Sequence, residues 1–347
     1  MRRPLFGDQV PRMDMTKSAK PLSKIVIIGT GGTIAGRGAV GNTSSYDAAV
    51  LGIQEIVASI PELAQLADIS GEQIMNLSSK NMTDLAMIEI ARSVARIAAS
   101  DADGVVITHG TDTIEETAYF LNLTIKSDKP IVLVGAMRPS TSLSADGPIN
   151  LYDAVRVACN KDAAGKGVLL VINGEIHTAR DVTKRNTFQA DSFESSYGPL
   201  GLAVEGHELF YRAPTRAHTL ASDFDVVDIE CLPNVQVIYG HSNVSDAAVR
   251  TFIDGAVDGI VYAGTGNANL PDALMPALQA ARAAGIHVVR ASRTGSGSAV
   301  RNPDAGDLKN GWIVADDQNP QKARLLLALA LTRTRDAGEL QTYFRKY

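Results

Sequence analysis

The sequence predicts an α/β protein of two domains: a larger N-terminal domain built on an open sheet with helices on both faces, and a smaller C-terminal α/β domain. Three observations carry that reading. At 347 residues the chain exceeds what one hydrophobic core usually organises. Short runs of β-branched and aliphatic residues, too uniformly apolar for half-exposed strands, alternate with longer stretches of helical spacing, as buried parallel strands and their crossovers do. The periodicity fades between residues 211 and 233 and then resumes. The expected layout is an N-terminal arm at 1–22, a first domain at 23–212, a linker at 213–233 and a second domain at 234–347.

Taken in order, residues 1–22 hold Arg2, Arg3, Pro4, Pro11 and Arg12 and no apolar run of the length a signal peptide needs. They read as a flexible arm, and a cytoplasmic location is the expectation, with the periplasm as the alternative. Residues 25–28 form a strand that enters the turn Gly29-Thr30-Gly31-Gly32-Thr33. Residues 37–47 are rich in Gly, Ser, Asn and Thr around a lone aromatic, Tyr46, and read as a loop. A helix broken by Pro61 follows at 53–66, then a strand at 74–77 and an amphipathic helix at 85–99.

Gly104-Val105-Val106-Ile107 is the next strand, ending near Thr108. After the small polar run His109-Gly110-Thr111-Asp112-Thr113, the residues Ile114, Ala118, Leu121 and Ile125 stand at helical spacing. Thr113 with Glu116 three residues on fits a capping box, so the helix is expected to begin there. Strands at 131–136 and 168–172, a Pro/Ser/Gly-rich loop at 137–148 and a helix at 149–157 complete the first domain. The second is expected to hold strands at 235–239, 259–263 and 286–291.

Composition excludes several classes of function. The net charge of −5 and pI near 5.7 come with no Lys/Arg run to neutralise phosphates, so no nucleic-acid partner is expected. Cys159 and Cys231 lie far apart with no CxxC or Cys/His spacing, and the six histidines form no HExxH-type pair. No metal and no other cofactor is expected. No stretch reaches the length of a membrane-spanning helix, so no membrane partner is expected.

The chemistry concentrates at two strand-to-turn junctions. In an open α/β sheet, ligands bind beyond the carboxyl ends of the strands, which is where Thr33, Thr111 and Asp112 fall. At one such turn, Thr and Asp are explained by helix capping alone. Two Thr-bearing turns suggest one pocket. Rival motifs do not fit: residues 31–36 have a phosphate loop's glycine spacing without its Lys-Ser/Thr, residues 29–31 lack the third glycine of a dinucleotide fingerprint, and residues 240–244 lack the last glycine of a nucleophile elbow.

Several motifs together resemble the bacterial-type L-asparaginases, including the glutaminase-asparaginases. They are Thr30-Gly31-Gly32-Thr33-Ile34-Ala35, His109-Gly110-Thr111-Asp112-Thr113, Val134-Gly135-Ala136-Met137-Arg138-Pro139-Ser140, Ser144-Ala145-Asp146-Gly147-Pro148, Asp181-Val182-Thr183-Lys184 and Asn319-Pro320-Gln321-Lys322-Ala323-Arg324. The likeness runs from about residue 24 to the C-terminus. It implies an asparaginase-like two-domain fold and hydrolysis of L-asparagine, with additional L-glutaminase activity open. Thr33, helped by Tyr46, would attack to form an acyl-enzyme, and Thr111, Asp112 and Lys184 would serve the water that releases it.

The same resemblance implies that Ser79 binds the substrate carboxylate. Lys80 stands where the family has Gln or Glu. A protonated Lys offers no acceptor to a substrate ammonium group, so the choice of amide is not inherited here. Asn267, from Gly264-Thr265-Gly266-Asn267, and Asp304, with Asp307 as the other candidate, would complete the site of a neighbouring subunit. That implies a homotetramer, a dimer of dimers, acting on a small amino-acid amide. The alternatives are a nucleotide- or effector-binding module on the same scaffold, or an amidase for another small amide because of Lys80.

Overall fold

The computed structural model describes residues 21–38, 46–47, 50–301 and 306–347, with the backbone alone at 37–38 and 46–47. The Tyr46 side chain and all of Asp304 lie outside the described residues. The first domain contains β1 (Ser23–Gly31), β2 (Arg37–Gly38), β3 (Tyr46–Asp47), β4 (Ala67–Leu77), β5 (Gly104–Thr108), β6 (Ile131–Val134), β7 (Val168–Ile172), β8 (Glu175–Thr178), β9 (Val182–Lys184), β10 (Phe193–Ser195), β11 (Gly201–Val204) and β12 (His207–Phe210). The second contains β13 (Val235–Tyr239), β14 (Gly259–Gly264), β15 (His287–Ser292) and β16 (Ile313–Val314).

The large sheet runs in the order β12-β11-β8-β7-β6-β5-β1-β4. Strands β4 through β7 in that row are parallel, as their β-branched sequences require, because both of their faces are covered. Along β5, Val105 and Ile107 face one layer of helices, which includes Asp84–Ala98 and Ile114–Thr124. Val106 faces the other, which includes Ile53–Ala58 and Gly147–Cys159. This is the expected open sheet with helices on both faces.

Beyond β7 the sheet turns antiparallel through two hairpins absent from the expected layout. Each is made by a two-residue turn with both residues at positive φ, Asn173-Gly174 and Glu205-Gly206. Those dihedrals match the twist of a tight hairpin. The helix expected at Thr113 does begin there, yet the Thr113 side chain caps nothing. Its hydroxyl is taken by another segment, described below.

The second domain is a four-stranded parallel sheet, β13-β14-β15-β16, extending the three expected strands by one. Helices Ala247–Asp254 and Met275–Ala283 cover one face. The other packs on Pro320–Leu331, whose Ala323 and residues 325–331 are apolar and buried in the same core as the first domain's helices. A helical stretch apolar on every side belongs between two layers, and residues 325–331 join the domains in this way. The connecting segment is also packed, burying Phe224, Val226 and Ile229. Among the described residues, no helix is long and apolar enough to cross a membrane.

Candidate active site

The strand order decides where the site forms. From β1 the chain moves to β4 on one side and then crosses to β5 on the other, so the connections leaving β1 and β5 diverge and leave a crevice at their carboxyl ends. Thr30 and Thr108 lock these two ends together. The Thr30 hydroxyl donates to the Thr108 carbonyl at 2.8 Å, and the Thr108 hydroxyl donates to the Ile28 carbonyl at 3.3 Å.

The turns that follow touch through their backbones. Gly31 and Gly32 have φ of 104° and 86°, and a Cβ placed on Gly32 would lie 2.3 Å from the Gly110 nitrogen. Only glycine permits both the dihedral and the approach. The short 3₁₀ turn Thr33–Ala35 is thereby held against the turn of Thr111, and both threonines are buried. The loop at 137–148 braces the first turn: Ser140 donates its hydroxyl to the Gly36 carbonyl at 2.8 Å, while Asp146 accepts the backbone N–H groups of Met137 and Arg138, each at 2.9 Å.

Buried His109 shapes the second turn. Its Nδ1 lies 2.7 Å from the Gly110 carbonyl, an acceptor only, so the proton sits on Nδ1 and Nε2 is left to accept from the Thr117 hydroxyl at 3.0 Å. Burial pushes the imidazole down to about 4 and keeps it neutral. Ser79 enters from the strand exit of β4. Its hydroxyl accepts the Asp112 N–H at 3.2 Å, and its carbonyl accepts the Thr113 hydroxyl at 2.8 Å. The Thr113 side chain therefore docks Ser79 in place of capping the helix.

Lys184, on β9, completes the cluster by donating to Thr111 Oγ1 at 3.0 Å and Asp112 Oδ1 at 2.8 Å. The structure thus gathers Thr33, Ser79, Thr111, Asp112 and Lys184 beyond the carboxyl ends of β1 and β5. Lys80, next to Ser79, is exposed. The amide of Asn267 is engaged elsewhere, accepting the Val300 N–H at 2.7 Å and donating to the Val300 carbonyl at 3.4 Å. Asp307 is buried in a two-pronged pair with Arg290, at 2.7 and 2.8 Å, and is closed to substrate.

Sequence reasoning passed over Glu115. It sits beside Glu116 in the first turn of the helix, where any carboxylate suits the helix dipole, and the capping-box spacing from Thr113 singles out Glu116 instead. In the structure Glu115 is buried and bonded to the Lys184 backbone.

Fold and cluster define a two-domain α/β protein with a hydroxyl, carboxylate and amine set at the switch point of its larger sheet. The family described as "Asparaginase, N-terminal" matches residues 24–216, and the "Glutaminase/Asparaginase C-terminal domain" matches residues 234–344. The chain belongs to the asparaginase family. It is 49% identical over 329 residues to a "Glutaminase-asparaginase" of Pseudomonas fluorescens biotype A, covering 94% of this chain and 91% of that protein. It is 44% identical over 336 residues to "L-asparaginase 2" of Escherichia coli (strain K12), covering 96% of each. A crystal structure described as a "Probable Cytoplasmic L-asparaginase" from Campylobacter jejuni superposes with a TM-score of 0.91 at 47% identity, over 94% of this chain and all of that one.

Proposed function

We propose that the protein is a hydrolase that converts L-asparagine and water to L-aspartate and ammonia, with L-glutamine as a possible second substrate. The observation that carries the reading is the bonding of Lys184 to both Thr111 and Asp112 in a turn packed against that of Thr33. Family membership and relatives named for asparagine and glutamine support it. The alternative of a nucleotide- or effector-binding module finds no support among them.

An amide carbon is a weak electrophile, so the reaction needs an activated hydroxyl, donors for the oxyanion and a proton for the departing ammonia. In the proposed scheme the Thr33 oxygen bonds to the side-chain carbonyl carbon and the C–N bond breaks. Ammonia leaves with the hydroxyl proton, relayed through Tyr46. Water then attacks the ester, returning the hydroxyl to Thr33 and releasing the acid. Lys184 donates to Thr111 Oγ1, which leaves the Thr111 proton to orient that water, and Asp112 fixes the amine. Ser79 already accepts from Asp112 N–H and so directs its own hydroxyl proton at the substrate carboxylate.

Asn267 and Asp304 are proposed to complete the site of a neighbouring subunit in a tetramer, which size-exclusion with light scattering tests; a fully active monomer would exclude it. A cytoplasmic location is tested by cell fractionation, release by osmotic shock being the contrary result. The roles of the threonines are tested by ammonia release from Thr33→Ala and Thr111→Val. Each should lose at least about 10²-fold in turnover. Retention of most activity by either variant would end the two-threonine scheme.

A further inference from the structure

We propose that Glu115 is a positioning residue for the Thr111, Asp112 and Lys184 cluster, holding Lys184 by its backbone and tying it to the helix that joins the two domains. The inference rests on the catalytic reading above. The Glu115 side chain is 4% exposed, and its carboxylate accepts donors from two further elements. Oε2 accepts the Lys184 N–H at 2.7 Å, from β9. Oε1 accepts Asn319 Nδ2 at 3.3 Å and Gln321 Nε2 in a shorter contact, both from the start of the helix Pro320–Leu331.

A carboxylate taken out of water needs its lone pairs filled, and here donors from the chain fill them. The arrangement is directional. Glu115 stands three residues after Asp112, at the start of the helix Ile114–Thr124, so one turn of chain carries both the acid that pairs with the Lys184 amine and the acid that grips the Lys184 backbone.

The same segment is also held by Lys322, from the first turn of the helix Pro320–Leu331. This amine is buried, and burial pushes it down to about 8. Its Nζ donates to the carbonyls of Ala179 and Arg180, each at 2.9 Å, and of Val182 at 2.5 Å. An ammonium has three protons, and three carbonyls receive them. The strand that bears Lys184 is thus fixed at the Lys184 N–H by a buried acid and at three preceding carbonyls by a buried amine. Both contacts reach the backbone of that segment and leave the Lys184 amine to Thr111 and Asp112. Small displacements at a reacting amine are costly in rate, which gives this double grip a catalytic consequence.

The test is Glu115→Gln, which keeps the volume but replaces one acceptor oxygen by an NH₂ facing other donors. Steady-state kinetics with L-asparagine are combined with a rapid-mixing measurement of ammonia. We expect kcat to fall tenfold or more with KM within threefold, and an ammonia burst approaching one per subunit before the slow phase, because formation of the acyl-enzyme is spared while its hydrolysis is slowed. Unchanged kcat, or a fall accompanied by loss of the burst in proportion to folded protein, would overturn the inference and leave Glu115 a structural residue. If Glu115→Gln does not fold, Gln321→Met removes one donor to Glu115 from the helix Pro320–Leu331 and should lower kcat two- to fivefold at constant KM; wild-type kcat would overturn the inference. Lys184→Met separates the two readings. Full activity there would sink the catalytic scheme, whereas an inactive Lys184→Met beside a wild-type Glu115→Gln would sink only the present one.

Discussion

Replacing Lys184 by Met separates chemistry from stability, because the structure sets the two effects far apart. Met fills the stem of the lysine but removes the donor to Thr111 Oγ1 at 3.0 Å and to Asp112 Oδ1 at 2.8 Å. In the folded protein at rest the pair is worth little: the Asp112 side chain is 56% exposed, and an ion pair so open to water contributes about 0–1 kcal/mol. For a chain of 347 residues that corresponds to a melting shift of only about 1–2 °C per kcal/mol. In the scheme proposed above, the same amine supports a reacting hydroxyl and the charge around it in the transition state, a role that typically carries ~10²–10⁴ in rate, or about 3–5 kcal/mol. The assay is ammonia release at saturating L-asparagine alongside a thermal melt of the same preparation. The expected outcome is a melting point within about 2 °C of wild type and turnover reduced at least 10²-fold. Turnover within tenfold of wild type would refute the role given to Lys184.

Three further outcomes are expected. Gly32→Ala should be destabilised by about 3 kcal/mol or more and nearly inactive, because its Cβ would meet the Gly110 backbone at 2.3 Å and its φ of 86° disfavours any side chain; a melt and an activity assay equal to wild type would remove the claim that the two turns pack this closely. The neutral, buried His109 should make the protein acid-sensitive: its folded value near 4 lies below the unfolded 6.5, so the unfolded chain binds more protons between those values and stability is lost as pH falls through that window. Urea unfolding at pH 7 and pH 4.5 should therefore show a shallower pH dependence in His109→Gln, by about 2–3 kcal/mol, and an unchanged dependence would rule the histidine out. Lys80→Gln replaces an exposed cation beside Ser79 by a group able to accept from the substrate amine, and should shift the preference between asparagine and glutamine by about fivefold; an unchanged ratio means that Lys80 does not face the substrate.

The parallel half of the large sheet was legible because buried strands such as Gly104–Thr108 and Ile131–Val134 advertise themselves as unbroken apolar runs. The antiparallel extension was not, since His177 and Glu175 interrupt one strand and the burial of the outer strand His207–Phe210 is only partial. The turn Asn173-Gly174 was the signal available there, as a dipeptide that favours hairpins. Residues 213–233 lack a period because Phe224, Val226 and Ile229 reach the core from irregular backbone, so packing there leaves no rhythm to read. The capping box at Thr113 located the helix start but gave the wrong partner for the hydroxyl: the local bond lost to Ser79, a residue from a distant strand exit.

The site was legible in parts. The two Thr turns could be found from strand ends and glycines, and the strand order now explains why they face one crevice. Lys184 entered only through family resemblance, because its position depends on the pairing of β9 with β10 and on Glu115 and Lys322, none of which has a local pattern. Asp307 stood behind Asp304 as the other candidate in the sequence, and only the fold reveals that Arg290 has claimed it.

The central claim is tested most directly by incubating the purified protein with L-asparagine and measuring ammonia and L-aspartate together over time. The account predicts that both accumulate at equal rates and in equal amounts, with no added metal or nucleotide. A folded protein that releases neither product from L-asparagine, and no ammonia from L-glutamine, would contradict it.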